Sequence, residues 1–301
     1  MKLNPLLIVL SISCLTLSQS YSQQHPIISS YMQQPLMISP AASTGYGTGT
    51  YIQAMHRTQW AGYDAFNESN NRPASHVQMI TGALQLKDSA GGFGLLAYND
   101  NTAEFQTIDI KVNYAYHIYF SKRGSLGIGI GAGVRSKQID FDEFIVKHPN
   151  DELLSEGSAS QARPNLSAGL WINHERYYFG GSYTNVLDQE FEEISVPDEP
   201  VTMVTGGYHF ILAPEWKLSP GFLWMNEASE NLLAFHTMGN YRELVEVGFA
   251  YRHEEAVSLI TGAWLLEDRS LRLGLAADLI TENQDVKSSA SCEVMRGYQF
   301  R

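Results

Sequence analysis

Nine histidines and two cysteines are the side chains of this 301-residue chain best suited to metal binding or nucleophilic chemistry. A zinc hydrolase of the HExxH type needs two histidines four residues apart on a helix, and that pattern does not occur. The histidines of the strand-like segments stand singly, at His56, His76, His117, His174, His209, His236 and His253. We expect most of them to face turns or a polar interior, and we predict no metal site.

Serine and nucleotide chemistry have no better support. No GxSxG turn is present, and Ser182 and Ser258 have no identifiable base. The glycines of residues 127–133 (GIGIGAG) do not form the GxGxxG turn of dinucleotide enzymes, which lies between a strand and a helix. We therefore expect no enzyme activity and no cofactor.

The first residues predict export. Lys2 is followed by an apolar run from Leu6 to Leu17 and by small residues up to Ser22, a pattern typical of a cleaved signal peptide at residues 1–22. A membrane anchor fits less well because the run is short for a spanning helix. Cleavage would leave Cys292 as the one cysteine, so no disulfide framework is expected.

The charge balance limits the class of partner. The chain has 20 Lys and Arg against 32 Asp and Glu, a formal net charge of -12. Such a surface repels phosphate backbones, and we expect no nucleic-acid partner.

The elements that would position any functional side chain are strands. Residues 109–120 (DIKVNYAYHIYF) alternate strictly between apolar and other positions, which predicts a strand with one apolar and one polar face. Similar segments recur, and we predict strands at 45–60, 74–86, 91–98, 104–120, 125–138, 164–173, 175–185, 201–212, 215–225, 231–240, 243–251, 255–264, 268–278 and 291–301.

Segment length and number favour a membrane barrel. A strand that crosses a bilayer needs about 9 to 11 residues, longer than the usual strand of a soluble sheet. The even number, fourteen, suits an all-β, transmembrane up-and-down antiparallel barrel of the outer-membrane type, although a soluble sandwich also places charges on its outer faces. We predict this barrel at residues 45–301, in contact with the lipid bilayer, and a periplasmic or plug segment at residues 23–44.

A row of glycines marks one predicted wall. Gly127, Gly129, Gly131 and Gly133 share the face opposite Ile128 and Ile130. Glycine weakens a strand, so a whole row predicts a crowded or sharply curved inner wall, against which a plug segment would fit.

Two acidic stretches interrupt the strands, at residues 139–163 and 186–200. Long loops of such barrels lie outside the cell, and loops commonly carry recognition. The candidate partner-contact residues are Asp140, Asp142, Glu143, Asp151, Glu152, Asp188, Glu190, Glu192 and Glu193. The alternative is that these are solvated loops without a partner.

Aromatic residues add a weaker signal. Tryptophans lie near or within predicted strands, at Trp60, Trp171, Trp216, Trp224 and Trp264, where they would suit either a membrane interface or a core. The last strand ends in Phe300, which resembles the terminal signal of outer-membrane barrels.

Residues 23–64 resemble the start of a mature PorP/SprF family protein. Ser39-Pro40-Ala41 resembles the family's N-P-A element with Ser in place of Asn, and Arg57, Gln59, Trp60 and Gly62 resemble its Y-R-x-Q-W element. Asn99-Asp100 resembles the family's turn after a glycine-rich hairpin, without its Gly-Pro. Further similarity lies in residues 109–117, 164–169 and 177–187.

The resemblance implies a fourteen-stranded outer-membrane barrel of the type IX secretion and gliding machinery. Such proteins support secretion or surface anchoring of particular cargo, often adhesins with a distinctive C-terminal domain, and some are linked to periplasmic components of the machinery. A porin-like diffusion channel is the alternative function, and an outer-membrane lipid hydrolase a third.

Overall fold

The structure is a computed structural model that describes residues 28–44, 49–59, 75–86, 90–102, 104–141, 157–187, 189–191, 194, 196–228, 230–281 and 290–300. The signal peptide predicted at residues 1–22 lies outside the described residues and stays a prediction.

The strands form a closed antiparallel barrel. Fifteen strands share one sheet, and since β10 and β11 are consecutive parts of one wall strand, the barrel has fourteen, as predicted. The first wall strand pairs with the last along its length. The wall strands are β1 (Thr50–Gln59), β2 (Ser75–Gln85), β3 (Gly91–Thr102), β4 (Phe105–Ser121), β5 (Gly124–Asp140), β6 (Ser158–His174), β7 (Tyr177–Thr184), β10 (Val201–Tyr208), β11 (Phe210–Ala213), β12 (Trp216–Glu227), β13 (Glu230–Tyr241), β14 (Val245–Arg252), β15 (Ala256–Leu265), β16 (Leu271–Ile280) and β17 (Ala290–Phe300).

The alternation in β4 separates its two faces as expected. Ile110 and Val112 point outward and are 52% and 55% exposed, whereas Asp109 and Lys111 point inward and are buried. An outward apolar face beside a polar interior is the arrangement of membrane barrels, so the apolar face contacts lipid.

The two ends of the barrel differ. The first and last residues of the wall, Thr50 and Phe300, lie at one end of the barrel. The same end has short turns, such as residues 122–123 and 175–176. Because short turns of such barrels face the periplasm, this end is periplasmic and the longer connections are extracellular. Exposed aromatic side chains surround the periplasmic end and form a girdle: Tyr119, Phe120, Tyr177, Tyr208, Phe210, Trp216, Tyr298 and Phe300.

Three tryptophans clarify the aromatic prediction. Trp216 belongs to the girdle, as an interface residue should. Trp171 is buried and stacks on Tyr178, and Trp264 donates to Glu246, so both serve the interior.

The described N-terminal residues 28–44, here called the inner segment, lie inside the barrel. They contain the 3₁₀ turns Tyr31–Gln33 and Pro40–Ala42 and the short helix α1 (Pro35–Ile38). Most of their side chains are buried against the wall.

No helix in the described part of the chain is long and apolar enough to cross a membrane.

Several predicted boundaries were wrong. Strand β6 begins at Ser158 and β5 continues to Asp140, which shortens the connection predicted at 139–163. Asn99-Asp100 lies within β3, whereas the sequence predicted a turn there. Both errors arise because polar residues continue the strands where the apolar alternation has ended, so the pattern covers less than the whole strand.

Candidate functional site

Two glycines of the row, Gly127 and Gly129, lie directly against the inner segment. A Cβ atom on Gly127 would lie 2.6 Å from the carbonyl oxygen of Ala41, and one on Gly129 would overlap the Ala41 backbone. Two strands away, on β3, a Cβ on Gly94 would lie 2.8 Å from a Leu36 methyl group. Real Cβ atoms do not approach this closely, so only glycine lets the segment reach the wall.

Apolar contacts hold the inner segment on two sides. Tyr31, Ile38 and Ala41 pack with wall residues such as Met203 and Leu223 in one cluster. Ile28 and Met37 pack with Met55, Met79 and Met295 in another. The lumen therefore has a hydrophobic core of its own, formed between the segment and the wall.

Buried charges fix the start of the segment near the extracellular end. The backbone N–H of Ser29 donates to Glu293 at 2.6 Å, and its hydroxyl donates to Asp278 at 2.6 Å. Arg57 contacts Asp278 at 2.9 Å and Glu293 at 2.7 Å, and Arg252 contacts Asp278 at 3.0 Å. Each buried charge thus has a partner of opposite sign, which offsets the cost of its burial.

Polar contacts hold the middle of the segment lower in the lumen. The Tyr31 hydroxyl lies 2.8 Å from Nδ1 of His236. The other ring nitrogen of His236, Nε2, lies 3.2 Å from the Tyr178 hydroxyl. Burial raises the pKa of the Tyr31 hydroxyl far above its usual value. Gln33 donates to Glu246, which also pairs with Arg272.

A second buried charge cluster lies in the outer half of the lumen. Arg135 pairs with Asp109 at 2.7 Å and with Asp198 at 2.8 Å, and Lys137 lies 3.2 Å from Asp198. Asn165 also donates to Asp109 at 2.6 Å. Asp198 comes from the connection between β7 and β10, so this connection folds back onto the inner wall.

The same connection forms a small hairpin of β8 (Gln189–Phe191) and β9 (Val196–Asp198). Phe191 is fully buried, packs with Ile139 and Ile194, and lies under the Lys137 ammonium at 5.0 Å from the ring centre. The hairpin therefore covers part of the outer lumen.

Strands β4 to β6 extend past the lipid-facing band on this side. On the lipid-facing side of β5, Val134 is followed toward the extracellular end by Ser136 and Gln138. On β6, which runs in the opposite direction, Leu166 is followed toward the same end by Ala162 and Ser160. The change from apolar to polar outward residues marks where the wall leaves the bilayer. The outer mouth therefore has a rigid polar rim on one side.

The family-motif residues lie at several different places. Pro40 is buried in the inner segment, where the Ser39 hydroxyl accepts from Ala41 N–H and caps the turn. Arg57 belongs to the buried charge cluster, and Gln59 ends β1 opposite Ser75. Asn99 accepts from Gln106 and Asp100 accepts from Thr102. Trp60 and Gly62 lie outside the described residues.

The candidate partner-contact carboxylates are not brought together in the described structure. Asp140 ends β5 at the outer rim, and Glu190 lies in β8. The remaining ones lie outside the described residues: Asp142, Glu143, Asp151, Glu152, Asp188, Glu192 and Glu193.

Sequence reasoning missed the partners of the buried arginines. Asp198 was absent from the candidates, although its loop was singled out, and Glu293 was not connected with Arg57. The inward register of the β17 alternation could have identified Glu293, since it places this residue and Met295 on the same face. No comparable signal marks Asp198.

Histidine placement also differs in part from expectation. His117 and His236 face the lumen, as predicted, but His56 and His76 face outward from the wall. Among the described residues, no group of three or more metal-ligating side chains is positioned to hold an ion.

A closed barrel with an apolar outer face, a polar interior and an aromatic girdle defines an outer-membrane β-barrel protein. The chain belongs to the PorP/SprF family of type IX secretion system membrane proteins, whose family model matches residues 20–298. No curated protein matches the chain.

Solved structures share the fold. The toluene transporter TbuX of Ralstonia pickettii has a TM-score of 0.53 and 11% identity, over 88% of this chain and 93% of that one. The toluene transporter TodX of P. putida has a TM-score of 0.53 and 10% identity, over 87% and 93% of the two chains. The CymD monoaromatic hydrocarbon channel has a TM-score of 0.52 and 11% identity, over 89% and 93%. At such identity the likeness concerns the fold alone.

Proposed function

We propose that this protein is a non-enzymatic component of the type IX secretion and gliding machinery that supports secretion or surface anchoring of a specific adhesin-like cargo protein. The observation that carries the proposal is the filled lumen. The inner segment occupies it from the Ser29 contacts down to Thr44, which lies 2.9 Å from His117. A barrel filled in this way offers its two ends, and not its interior, to other molecules.

The extracellular end is the proposed cargo site. The polar rim of β4 to β6 gives a rigid support. One acidic connection joins β5 and β6 at this rim, and the other joins the neighbouring strands β7 and β10. Asp198 is directed inward by Arg135 and Lys137, so the cargo contacts fall to the other acidic residues of the connections. We expect the C-terminal domain of the cargo to bring basic side chains to this surface.

The periplasmic end is the proposed site for secretion-machinery components. Its turns are short and hold their shape through backbone bonds, such as Arg242 N–H to Glu215 C=O at 2.7 Å. A rigid, shallow surface of this kind suits a permanent contact with a periplasmic protein.

The test is a charge-neutral variant of the outer connection in native cells. Replacing Asp188, Glu190, Glu192 and Glu193 by Gln or Asn leaves Asp198 and the hairpin core in place. We expect cargo to move from the cell surface into the medium while barrel abundance is unchanged. The matched control carries Glu243→Gln and Glu267→Gln in periplasmic turns and should keep its cargo attached. Full cargo attachment in the first variant would contradict the proposal.

A diffusion channel is the alternative, which the charged side chains of the lumen wall favour. Planar-bilayer recording separates the two. A filled lumen predicts no steady conductance in the wild-type protein, whereas a stable ohmic step in each insertion would favour the channel.

A further inference from the structure

One side of the outer surface is polar where lipid would be expected. Strands β17, β1 and β2 meet at the seam where the barrel closes. Their outward faces carry six polar or weakly polar side chains, here called the seam patch: His56, Thr58, His76, Gln78, Cys292 and Arg296. On β4, two strands beyond β2, the outward residues are Ile108, Ile110, Val112 and Tyr114, all exposed and apolar or aromatic.

The seam patch lies within the lipid-facing band. Ile52 pairs across the seam with Tyr298 of the periplasmic girdle, and His56 lies four residues further along the same strand. At about 3.3 Å per residue and a tilt of about 40°, His56 is roughly 10 Å above the girdle. This depth is near the middle of a lipid band about 25 Å tall.

The polar groups of the patch do not provide hydrogen-bond partners for all of one another's donors and acceptors. His56 and His76 stack with ring centres 5.7 Å apart, and the Thr58 hydroxyl lies 3.3 Å from His56 Nε2. His76 Nδ1 is buried without a hydrogen-bond partner. Arg296 is exposed and has no ion-pair or hydrogen-bond partner among the described residues.

Lipid does not account for the patch as a whole. Arg296 is one outward position above Tyr298, so its guanidinium could extend to periplasmic headgroups. His56 and Gln78 are further from either headgroup layer, and polar groups at that depth are costly against hydrocarbon. Such residues in membrane proteins usually face protein.

We infer that the seam patch is a lateral interface for a membrane-embedded segment of a different outer-membrane protein, which places a carboxylate against Arg296 and hydrogen-bonding side chains against His56 and Gln78. Arg296, which has no partner of opposite charge among the described residues, sets the charge of the partner. A second copy of this chain fits less well, since the described outward faces of the seam strands carry no carboxylate for Arg296.

The first experiment uses the native thiol in intact cells. Cys292 is exposed, lies within the patch, and pairs across the seam with Thr58. A thiol-linked photo-crosslinker on Cys292 should give a product with one other outer-membrane protein, joined within a membrane-embedded segment beside an Asp or Glu. Cys292→Ser with Val112→Cys moves the thiol from β17 to β4, four strands away around the barrel, and should give no such product.

The second experiment separates a partner from lipid. The triple variant His56→Leu, Gln78→Leu and Arg296→Leu should shift the urea midpoint of the purified protein in phosphatidylcholine vesicles upward, because its seam is now apolar. In cells the same variant, still carrying Cys292, should lose the crosslinked product while barrel abundance is unchanged.

Three outcomes would overturn the inference. They are a product containing two copies of this chain, a product that persists in the triple variant, and no protein product from Cys292 at all. A lower urea midpoint of the triple variant in lipid would also contradict it. The variant leaves the acidic outer connections intact, so cargo attachment can be scored separately.

Discussion

Arg57 on the first wall strand lies directly opposite Glu293 on the last, with Nη1 2.7 Å from the carboxylate oxygen and both side chains fully buried. The same carboxylate accepts the backbone N–H groups of Ser29 and Ser30. One buried ion pair therefore joins barrel closure to the placement of the inner segment.

Replacing Arg57 by Met should destabilise the barrel strongly. The change leaves Glu293 and Asp278 with less compensation in a buried place, and breaking one partner of such a pair costs about 3–5 kcal/mol. Urea unfolding in lipid vesicles measures the loss. Lys122→Met, at an exposed periplasmic turn, is the matched control and should change stability by less than about 0.5 kcal/mol. Equal stabilities of the two variants would show that the pair is dispensable.

Replacing Gly129 by Val should expel part of the inner segment. The new side chain would overlap the backbone of Ala41, which cannot move without leaving the wall. Overpacking of this kind costs about 1–3 kcal/mol. Planar-bilayer conductance should rise as the lumen opens.

Gly239→Val is the control for that experiment. A Cβ at Gly239 would meet its nearest neighbour, the Val247 carbonyl oxygen, at an ordinary 3.5 Å. Its conductance should match wild type. A Gly129 variant with the same closed record would argue against a segment that blocks the lumen.

Replacing Asp198 by Asn should release the β8–β9 hairpin from the wall. The carboxylate that both Arg135 and Lys137 contact loses its charge, while the Asp109 contact keeps Arg135 in place. If the contacts that hold the hairpin against the wall weaken by about 1.4 kcal/mol, the fraction of molecules with the hairpin released rises tenfold. Limited proteolysis of intact cells should then cleave within residues 186–200 faster. Glu254→Gln, in another outer turn, should cleave at the wild-type rate; no acceleration for Asp198→Asn would refute the contact.

Replacing Tyr31 by Phe and by Ala separates its hydroxyl from its ring. The Phe variant loses the bond to His236 and should lose about 0.5–1.5 kcal/mol of unfolding free energy. The Ala variant also leaves a cavity in the lumen core and should lose about 3–5 kcal/mol. Equal losses, measured by urea unfolding, would mean that the hydroxyl contact, and not packing, dominates.

The wall could be predicted from the sequence because a strand's two faces are encoded locally. Alternation in residues 109–120 places Ile110 and Asp109 on opposite faces whatever the rest of the chain does. Fourteen such segments, each long enough to cross a bilayer, leave a closed barrel as the arrangement that satisfies every backbone group. The glycine row likewise carries local information, because a face without side chains implies a close neighbour.

The boundaries and the outer connections could not be predicted in the same way. Polar residues at 99–102 continue β3, and polar residues at 158–163 begin β6, outside the apolar alternation, so the pattern does not cover the whole strand. In the sequence, Asp198 is one of several acidic loop residues. Only folding brings Arg135 and Lys137 next to it.

The sequence by itself therefore determined the class of fold, the lipid-facing residues and the family resemblance, since these depend on periodicity and short motifs. Only the tertiary structure decided which buried charges pair, what fills the lumen and which side of the barrel carries polar residues on its outer surface. Arg57 and Glu293 are separated by almost the whole chain, and nothing local to either residue specifies the other. Their contact exists because closing the barrel brings the first and last strands together.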